Sequence, residues 1–151
     1  MGEVLVRPVT EADHAAWREL YRGYRDFYNV EHNDTIIDTV WSWLHDPQQL
    51  SRGLVALVDD VPLGLAHFRT FARPLAGSHG LYLDDLFTSP DARGHGLGSA
   101  LLTRLSEIAR DEGATVVRWI TAESNETARS LYDKVSTRTP WVTYDLASAS
   151  T

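Results

Sequence analysis

The sequence predicts an α/β fold, a mixed sheet with helices packed against it, in a single domain spanning residues 1–151. Three observations carry that expectation. The periodic segments run in the order β-α-α-β-β-β-α-β-α-β, with a tight hairpin in the middle and helical crossovers after it, which calls for both antiparallel and parallel neighbours. The length, 151 residues, suits one domain, and 43% hydrophobic against 23% charged residues is an ordinary globular balance. No repeat or linker interrupts the chain.

Taken in order, Glu3 to Val9 alternates loosely around Val4 and Val6 and reads as a short strand. Thr10, followed by Glu11 and Asp13, is a helix start with a side-chain cap and acids in the first turn. That helix runs to about Tyr28, with Trp17, Leu20, Tyr21 and Tyr24 at helical spacing. Asn33 or Asp34 caps a second helix carrying Ile37, Val40, Trp41 and Leu44, ended by Pro47. Leu54 to Val58 is a buried strand, Asp59-Asp60 a tight turn, and Val61 to Phe71 the antiparallel partner, with Pro62 near a strand end. A loop with Pro74, Gly77 and Gly80 leads to a strand over Leu81 to Thr88. Leu97, Leu101, Leu105 and Ile108 line one face of a helix stopped by Gly113. Thr115 to Thr121 is a strand, Asn125 to Val135 a short helix, Trp141 to Leu146 a last strand, and Ala147 to Thr151 a frayed tail.

Composition excludes several functions. The 14 basic and 21 acidic residues give a net charge of −7. That acidic balance argues against a nucleic-acid binder, which needs a clustered basic face. Cysteine is absent, so disulfides, thiolate metal sites and a cysteine nucleophile are excluded. The six histidines, His14, His32, His45, His67, His79 and His95, show no metal-ligand spacing, so no metal site is expected. The longest purely apolar run, Leu54 to Val58, is too short to cross a bilayer, and Met1 to Thr10 has no signal-peptide core. A soluble cytoplasmic protein is expected. No G-x-S-x-G elbow is present, which disfavours a serine hydrolase.

The most informative stretch is Leu83-Asp84-Asp85-Leu86-Phe87-Thr88-Ser89-Pro90-Asp91-Ala92-Arg93-Gly94-His95-Gly96-Leu97-Gly98-Ser99. A strand leads through a short turn into alternating glycines that open an amphipathic helix. Glycines there let successive backbone N–H groups point into one concavity. The helix N-terminus adds partial positive charge and Arg93 a full one, which together make a seat for phosphate or pyrophosphate. The dinucleotide fingerprint G-x-G-x-x-G starting at Gly94 fails at Ser99 and lies too late in the chain. The P-loop fails because the only lysine is Lys134.

What remains is R-x-x-G-x-G, satisfied by Arg93, Gly96 and Gly98. Here the sequence resembles the GCN5-related N-acetyltransferase (GNAT) superfamily, in which that pattern holds the pyrophosphate of acetyl-coenzyme A. It looks most like the spermidine/spermine (diamine) acetyltransferase branch. Leu81-Tyr82-Leu83-Asp84-Asp85-Leu86-Phe87 is similar to that branch's Leu-Tyr-Leu-Glu-Asp-Phe-Phe, and Ala122-Glu123-Ser124-Asn125-Glu126 with Tyr132 to its Ala-Glu-x-Asn-Glu segment and following tyrosine. The likeness is strong over Leu81 to Lys134 and faint before Ser51. Two departures stand out. Ser136-Thr137 replaces the family's Gly-Phe, and Asp84 is one methylene shorter than the branch's glutamate.

The resemblance implies a central mixed sheet with helices on both faces, acetyl-CoA as cosubstrate, a homodimer, and transfer to a primary amine by direct attack in a ternary complex. The acceptor expected is a small polyamine, diamine or amino-acid-like amine. A protein or peptide acceptor, and a coenzyme A-binding module without transfer, are the alternatives. An alkylamine is almost wholly protonated at neutral pH, so the reaction needs a proton acceptor, donors for the oxyanion and a proton for the thiolate.

The resemblance places the acid at Tyr132, whose phenol stays protonated at pH 7; the sequence alone also fits a core tyrosine. Asp84 is implied as a water-mediated base or amine anchor, and a salt bridge to a nearby arginine is the equal alternative. Adjacent in a strand, Asp84 and Asp85 are expected to point to opposite faces and form no carboxylate pair. Glu123 is the reserve base, or a solvated acid before a helix. Main-chain groups of Leu86, Phe87 and Thr88 would meet the cofactor arm, with the N–H near Leu86 as oxyanion donor. Arg93, Gly94, His95, Gly96, Leu97, Gly98 and Ser99 would hold the pyrophosphate. Asn125 matches a contact to the cofactor arm and also suits a helix cap. Tyr24, Phe27, Tyr28, Trp41 and Trp43 can wall an acceptor pocket or pack the core. Asp26, Tyr28 and Glu31 are the candidate acceptor contacts.

Overall fold

A computed structural model describes residues 2–150 and divides them into two compact units, one ending at Ile120 and the other beginning at Thr121. The first unit holds a five-stranded sheet: β1 (Val4–Pro8), β2 (Arg52–Val58), β3 (Val61–Arg73), β4 (Ser78–Thr88) and β5 (Val117–Arg118), hydrogen-bonded in that order. The first three pairings are antiparallel and β4–β5 is parallel, so the sheet is mixed as expected. Three helices belong to this unit: α1 (His14–Phe27), α2 (Asp34–Leu44) and α3 (Leu97–Glu112). The second unit holds α4 (Glu126–Val135).

Local chemistry sets the helix starts. Before α1, the carboxylate of Asp13 accepts from the Thr10 amide (2.8 Å) and hydroxyl (3.1 Å), closing a single 3-10 turn over Glu11–Asp13. Asn33 caps α2 by accepting from the Ile36 amide at 3.2 Å. The α3 stop is Gly113, in the left-handed region at φ +75°.

Helices cover both faces of the sheet. Trp17, Leu20 and Tyr21 of α1 and Ile37 of α2 cluster with Leu65 of β3 and Phe87 of β4. Side chains alternate along a strand, so Gly64 faces the other way. A methyl group at Gly64 would lie 3.4 Å from Leu101 of α3, whose Leu97, Leu101 and Leu105 are buried.

Two strand expectations fail. Only Val117 and Arg118 of the Thr115–Thr121 segment pair, with Leu81 and Tyr82. Trp141 to Leu146 forms no strand among the described residues, and Trp141, Tyr144 and Leu146 are 79%, 89% and 98% exposed. Alternating apolar residues express a fit to a half-buried pleated surface, and a strand exists only where a partner completes the ladder. No helix among the described residues is long and apolar enough to cross a membrane.

Arg7 of β1 holds Asp13 through two hydrogen bonds of 2.7 and 3.0 Å, tying the sheet edge to the start of α1. Those bonds, chiefly, hold the Asp13 carboxyl below the usual carboxylate range against a burial that pushes it up. A depressed folded pKa stabilises the fold fully above the unfolded value near ~3.9, and the gain fades as pH falls through the folded one. Asp13→Asn should therefore cost about 1–3 kcal/mol at pH 7 and progressively less toward pH 2. Urea unfolding across that range is the check, and a pH-independent difference would contradict this account.

Candidate active site

Strand β4 organises the site. It pairs with β3 along its whole length, but with β5 only at Leu81 and Tyr82, so from Leu83 onward its other edge has no strand partner among the described residues. The main chain of Leu86, Phe87 and Thr88 lies on this opened stretch. Beyond it, a 3-10 turn over Pro90–Ala92 leads to Arg93 and the glycines.

Gly94 and Gly96 take φ +82° and +83°, a conformation costly for a residue with a Cβ. Nothing lies within 4 Å of where a Cβ would sit on either, so a side chain there would project into the open space of the turn. Gly96 caps α3, its carbonyl accepting from the Ala100 amide at 2.9 Å. The amides of Leu97, Gly98 and Ser99 fall in the first turn, where no intrahelical acceptor exists for them. Arg93 donates to the Thr88 carbonyl at 3.4 Å and stands over the rings of Phe27 (5.5 Å) and Phe87 (5.7 Å). Gly94, His95 and Gly96 are exposed and Leu97 is buried beneath the turn. Free amides, a helix N-terminus and a guanidinium on open glycine backbone fit a pyrophosphate.

On the α1/α2 face, a cavity of about 220 Å³ lies beside β4. Tyr21 comes to it from α1, Val40 and Trp43 from α2, Ser51 from the approach to β2, His67 and Arg69 from β3, and Asp84 and Asp85 from β4. Both aspartates reach one cavity, contrary to the expectation that they face opposite ways. The cause is a bulge: Phe68 pairs with Leu83 and His67 with Asp85, leaving Asp84 as an extra residue that interrupts the alternation.

The two carboxyls differ in environment. Burial pushes the Asp84 carboxyl up, opposed by the Arg69 hydrogen bond at 3.1 Å. Burial also acts on Asp85, but the hydrogen bond and electrostatic pull of His67, with hydrogen bonds from Tyr24 and Tyr21, outweigh it and hold that carboxyl below the usual range. The distances to Asp85 Oδ2 are 2.8 Å from His67 Nδ1 and 3.2 Å from the Tyr21 hydroxyl. His67 Nε2 in turn accepts from Trp17 Nε1 at 2.9 Å. Burial, with the Asp85 charge, pushes the Tyr21 and Tyr24 phenols far up, so both remain protonated donors. A more open depression of about 490 Å³ lies around Leu44–Arg52, where Arg52 is committed to Glu112 at 2.8 Å.

The other candidates fall as follows. Asp26 pairs with His32 at 3.0 Å, Tyr28 is 42% exposed, and the Glu31 carbonyl accepts from Arg25 at 2.8 Å. None of the three borders the cavity. Of the five aromatics considered for its wall, Trp43 lines it, Tyr24 and Trp41 pack against the core, and Phe27 and Tyr28 are exposed. In the second unit, Asn125 caps α4 by accepting from the Ala128 amide at 3.4 Å. Glu123 is exposed, its carbonyl accepting from Arg129 at 2.7 Å. Tyr132 is half-buried in α4, and its carbonyl accepts from the Ser136 amide and hydroxyl. Sequence reasoning passed over His67, Tyr21 and Trp17 as site residues. No cluster of metal-binding side chains occurs among the described residues.

A mixed sheet opened along one strand and ending in a glycine turn offers a seat for an anionic ligand, and comparison with known proteins gives the class. The chain matches the Acetyltransferase (GNAT) family over residues 17–136 and belongs to it. It is an N-acetyltransferase and its cosubstrate is acetyl-CoA. It is 26% identical over 143 residues to the D-amino-acid N-acetyltransferase HPA3 of Saccharomyces cerevisiae, covering 93% of this chain and 89% of that one. It is 32% identical over 83 residues to the thialysine N-epsilon-acetyltransferase of Caenorhabditis elegans, covering 55% and 51%. Among solved structures, a probable acetyltransferase superposes with a TM-score of 0.85 at 21% identity, covering 97% of this chain and 99% of that chain. The aminoglycoside acetyltransferase AAC(6')-Iy, in complex with a bisubstrate analogue, gives 0.80 at 15% identity, covering 98% and 100%.

Acetyl-CoA supplies the thioester when bound, and the amides of the turn with Arg93 would hold its pyrophosphate. Gly96→Val forces a branched side chain into left-handed backbone, a strain of about 1–2 kcal/mol, and crowds the turn. It should loosen coenzyme A about tenfold or more by isothermal titration. Unchanged affinity would remove the turn from the cofactor site.

Proposed function

We propose that the protein moves the acetyl group of acetyl-CoA to a primary amine of a small molecule by direct attack in a ternary complex. The observation that carries this reading is the cavity beside β4, where two carboxyls have been pushed apart in acidity on the strand that leads to the glycine turn. Its volume, about 220 Å³, suits a small polyamine, diamine or amino-acid-like acceptor better than a folded protein surface. The names of the two relatives, which act on D-amino acids and thialysine, support the same class.

Asp84, with its raised carboxyl, accepts the proton that an ammonium must lose before attack, directly or through one water. The N–H near Leu86 is the oxyanion donor on the opened edge of β4, with the main chain of Phe87 and Thr88 alongside the cofactor arm. Tyr132 donates a proton to the departing thiolate, Glu123 is the reserve base, and Asn125 contacts the cofactor arm besides capping α4. Tyr132→Phe should lower turnover about 100-fold or more while coenzyme A affinity stays within about twofold. Thiol release against a panel of amines reads the first and titration the second. Unchanged turnover would remove Tyr132 from the mechanism, and thiol release with peptides alone would replace the small acceptor.

The same protein is proposed to act as a homodimer. Support comes from the segment after α4, where Trp141, Val142, Tyr144 and Leu146 are exposed together, an apolar stretch that monomers rarely leave to water. Replacing Trp141 and Tyr144 by Ser should convert the dimer to monomer in light scattering. A wild-type chain of monomer mass would overturn the assignment.

A further inference from the structure

Arg93 is held by neutral groups alone. Its guanidinium donates to the Thr88 carbonyl at 3.4 Å and stands over the rings of Phe27 and Phe87, whose centroids are 5.5 and 5.7 Å away. No carboxylate among the described residues pairs with it, although acids outnumber bases by 21 to 14 along the chain. Rings and a carbonyl orient a guanidinium without neutralising it, so the positive charge stays available to an incoming anion. A carboxylate partner would orient the side chain as well, but would cancel that charge. The two rings are themselves fixed. Phe87, 6% exposed, belongs to the core cluster and lies against the bare face of Gly23, where a Cβ would come within 3.0 Å of it. Phe27 is different. It is 49% exposed at the last position of α1, and it neither borders the cavity nor joins the core cluster. Neighbouring rings steady it: Phe27 meets Tyr28 at 5.1 Å, Tyr28 meets Tyr24 at 5.0 Å, and Tyr24 meets Phe87 at 6.0 Å. Arg93, over both Phe27 and Phe87, closes these contacts into a circuit.

An aromatic ring left half in water at a helix end buries little surface, so apolar burial does not account for its placement. What it offers is the face of a π-system to the guanidinium that precedes the glycine turn. An exposed arginine samples many rotamers, and each contact that removes some of them lowers the entropy lost when an anion binds. Resting on the reading that the turn holds the pyrophosphate of acetyl-CoA, we propose that Phe27 is a positioning residue of the cofactor site. With Phe87 it pre-orients the Arg93 guanidinium for the pyrophosphate, and it acts only through Arg93. The end of α1 then serves the cosubstrate rather than the acceptor, and its contribution is felt only by a ligand that carries the pyrophosphate.

The test is isothermal titration with coenzyme A and with pantetheine, which has the same thiol arm without the pyrophosphate and nucleotide. Phe27→Leu, which keeps apolar bulk and removes the ring, should weaken coenzyme A about two- to fivefold, the scale of one exposed cation–π contact, and leave pantetheine unchanged. Phe27→Tyr, which keeps the ring, should match the wild-type protein, as a merely space-filling role would not require. Arg93→Ala should weaken coenzyme A at least as much as Phe27→Leu. Adding Phe27→Leu to it should bring no further loss, the mark of a residue that acts through another. An unchanged Tm checks that each variant folds. Unchanged coenzyme A affinity in Phe27→Leu overturns the proposal. So does an equal loss for pantetheine, or an additive loss in the double variant, which would set the ring against the ligand itself. If Arg93→Ala weakens coenzyme A and Phe27→Leu does not, the pyrophosphate seat stands and the positioning role fails. If Arg93→Ala and Gly96→Val leave the affinity unchanged as well, the turn is not the cofactor site and both readings fail together.

Discussion

The arrangement of this site depends on a single strand that is paired on one side and only begun on the other. β4 is bonded to β3 from Ser78 to Thr88 but meets β5 only at Leu81 and Tyr82. Backbone groups left without a ladder must find another partner, and the proposed one is the cosubstrate. The same strand ends in the turn that presents Arg93, Gly94 and Gly96. The opened edge of β4 and the glycine turn belong to one continuous piece of chain, and an error of register in β4 would displace both together.

The bulge at Asp84 gives the strand a second task. Regular pleating would send Asp84 and Asp85 to opposite faces, one of them into the apolar layer under α3, where an unpaired carboxylate is costly. One extra residue opposite the His67–Phe68 step turns both toward the α1/α2 face. There the two acids become different reagents. Asp84 faces Arg69 at the edge of the cavity, whereas Asp85 receives its donors from the interior. Two identical side chains adjacent in sequence thus acquire opposite shifts.

Much of this was legible in the chain. Gly94, Gly96 and Gly98 after a strand, with Arg93 in front, marked the turn that opens α3, because alternating glycine at a helix entry costs helix stability unless the backbone is needed. Asn33 fixed the start of the second helix through its own side chain, whereas ahead of the first the Thr10 hydroxyl donates to the Asp13 carboxylate and a 3-10 turn intervenes. What escaped were properties of pairs. A bulge arises where two strands are matched, and nothing in Leu83-Asp84-Asp85-Leu86 alone marks it. His67 is one of six histidines, and its role comes from Trp17, fifty residues earlier in sequence. Trp141 to Leu146 has the alternation of a strand, but alternation does not name the neighbour that would complete it.

The polar chain beneath the cavity has an order of dependence that runs opposite to the direction of chemistry. Asp85 keeps its charge in a largely buried position only while His67 and the tyrosines donate to it. His67 holds its proton on Nδ1 only while Trp17 donates to Nε2, and Trp17 reaches that nitrogen only because α1 lies flat on the sheet with Trp17, Leu20 and Tyr21 in its apolar stripe. An apolar side chain at position 67 would spare the interior a polar group, yet it would leave the carboxylate short of a donor and favour its neutral form. Packing of the first helix and the charge of the cavity are in this sense one variable. A substitution that loosens α1 without touching the cavity wall reaches the carboxylate through Trp17.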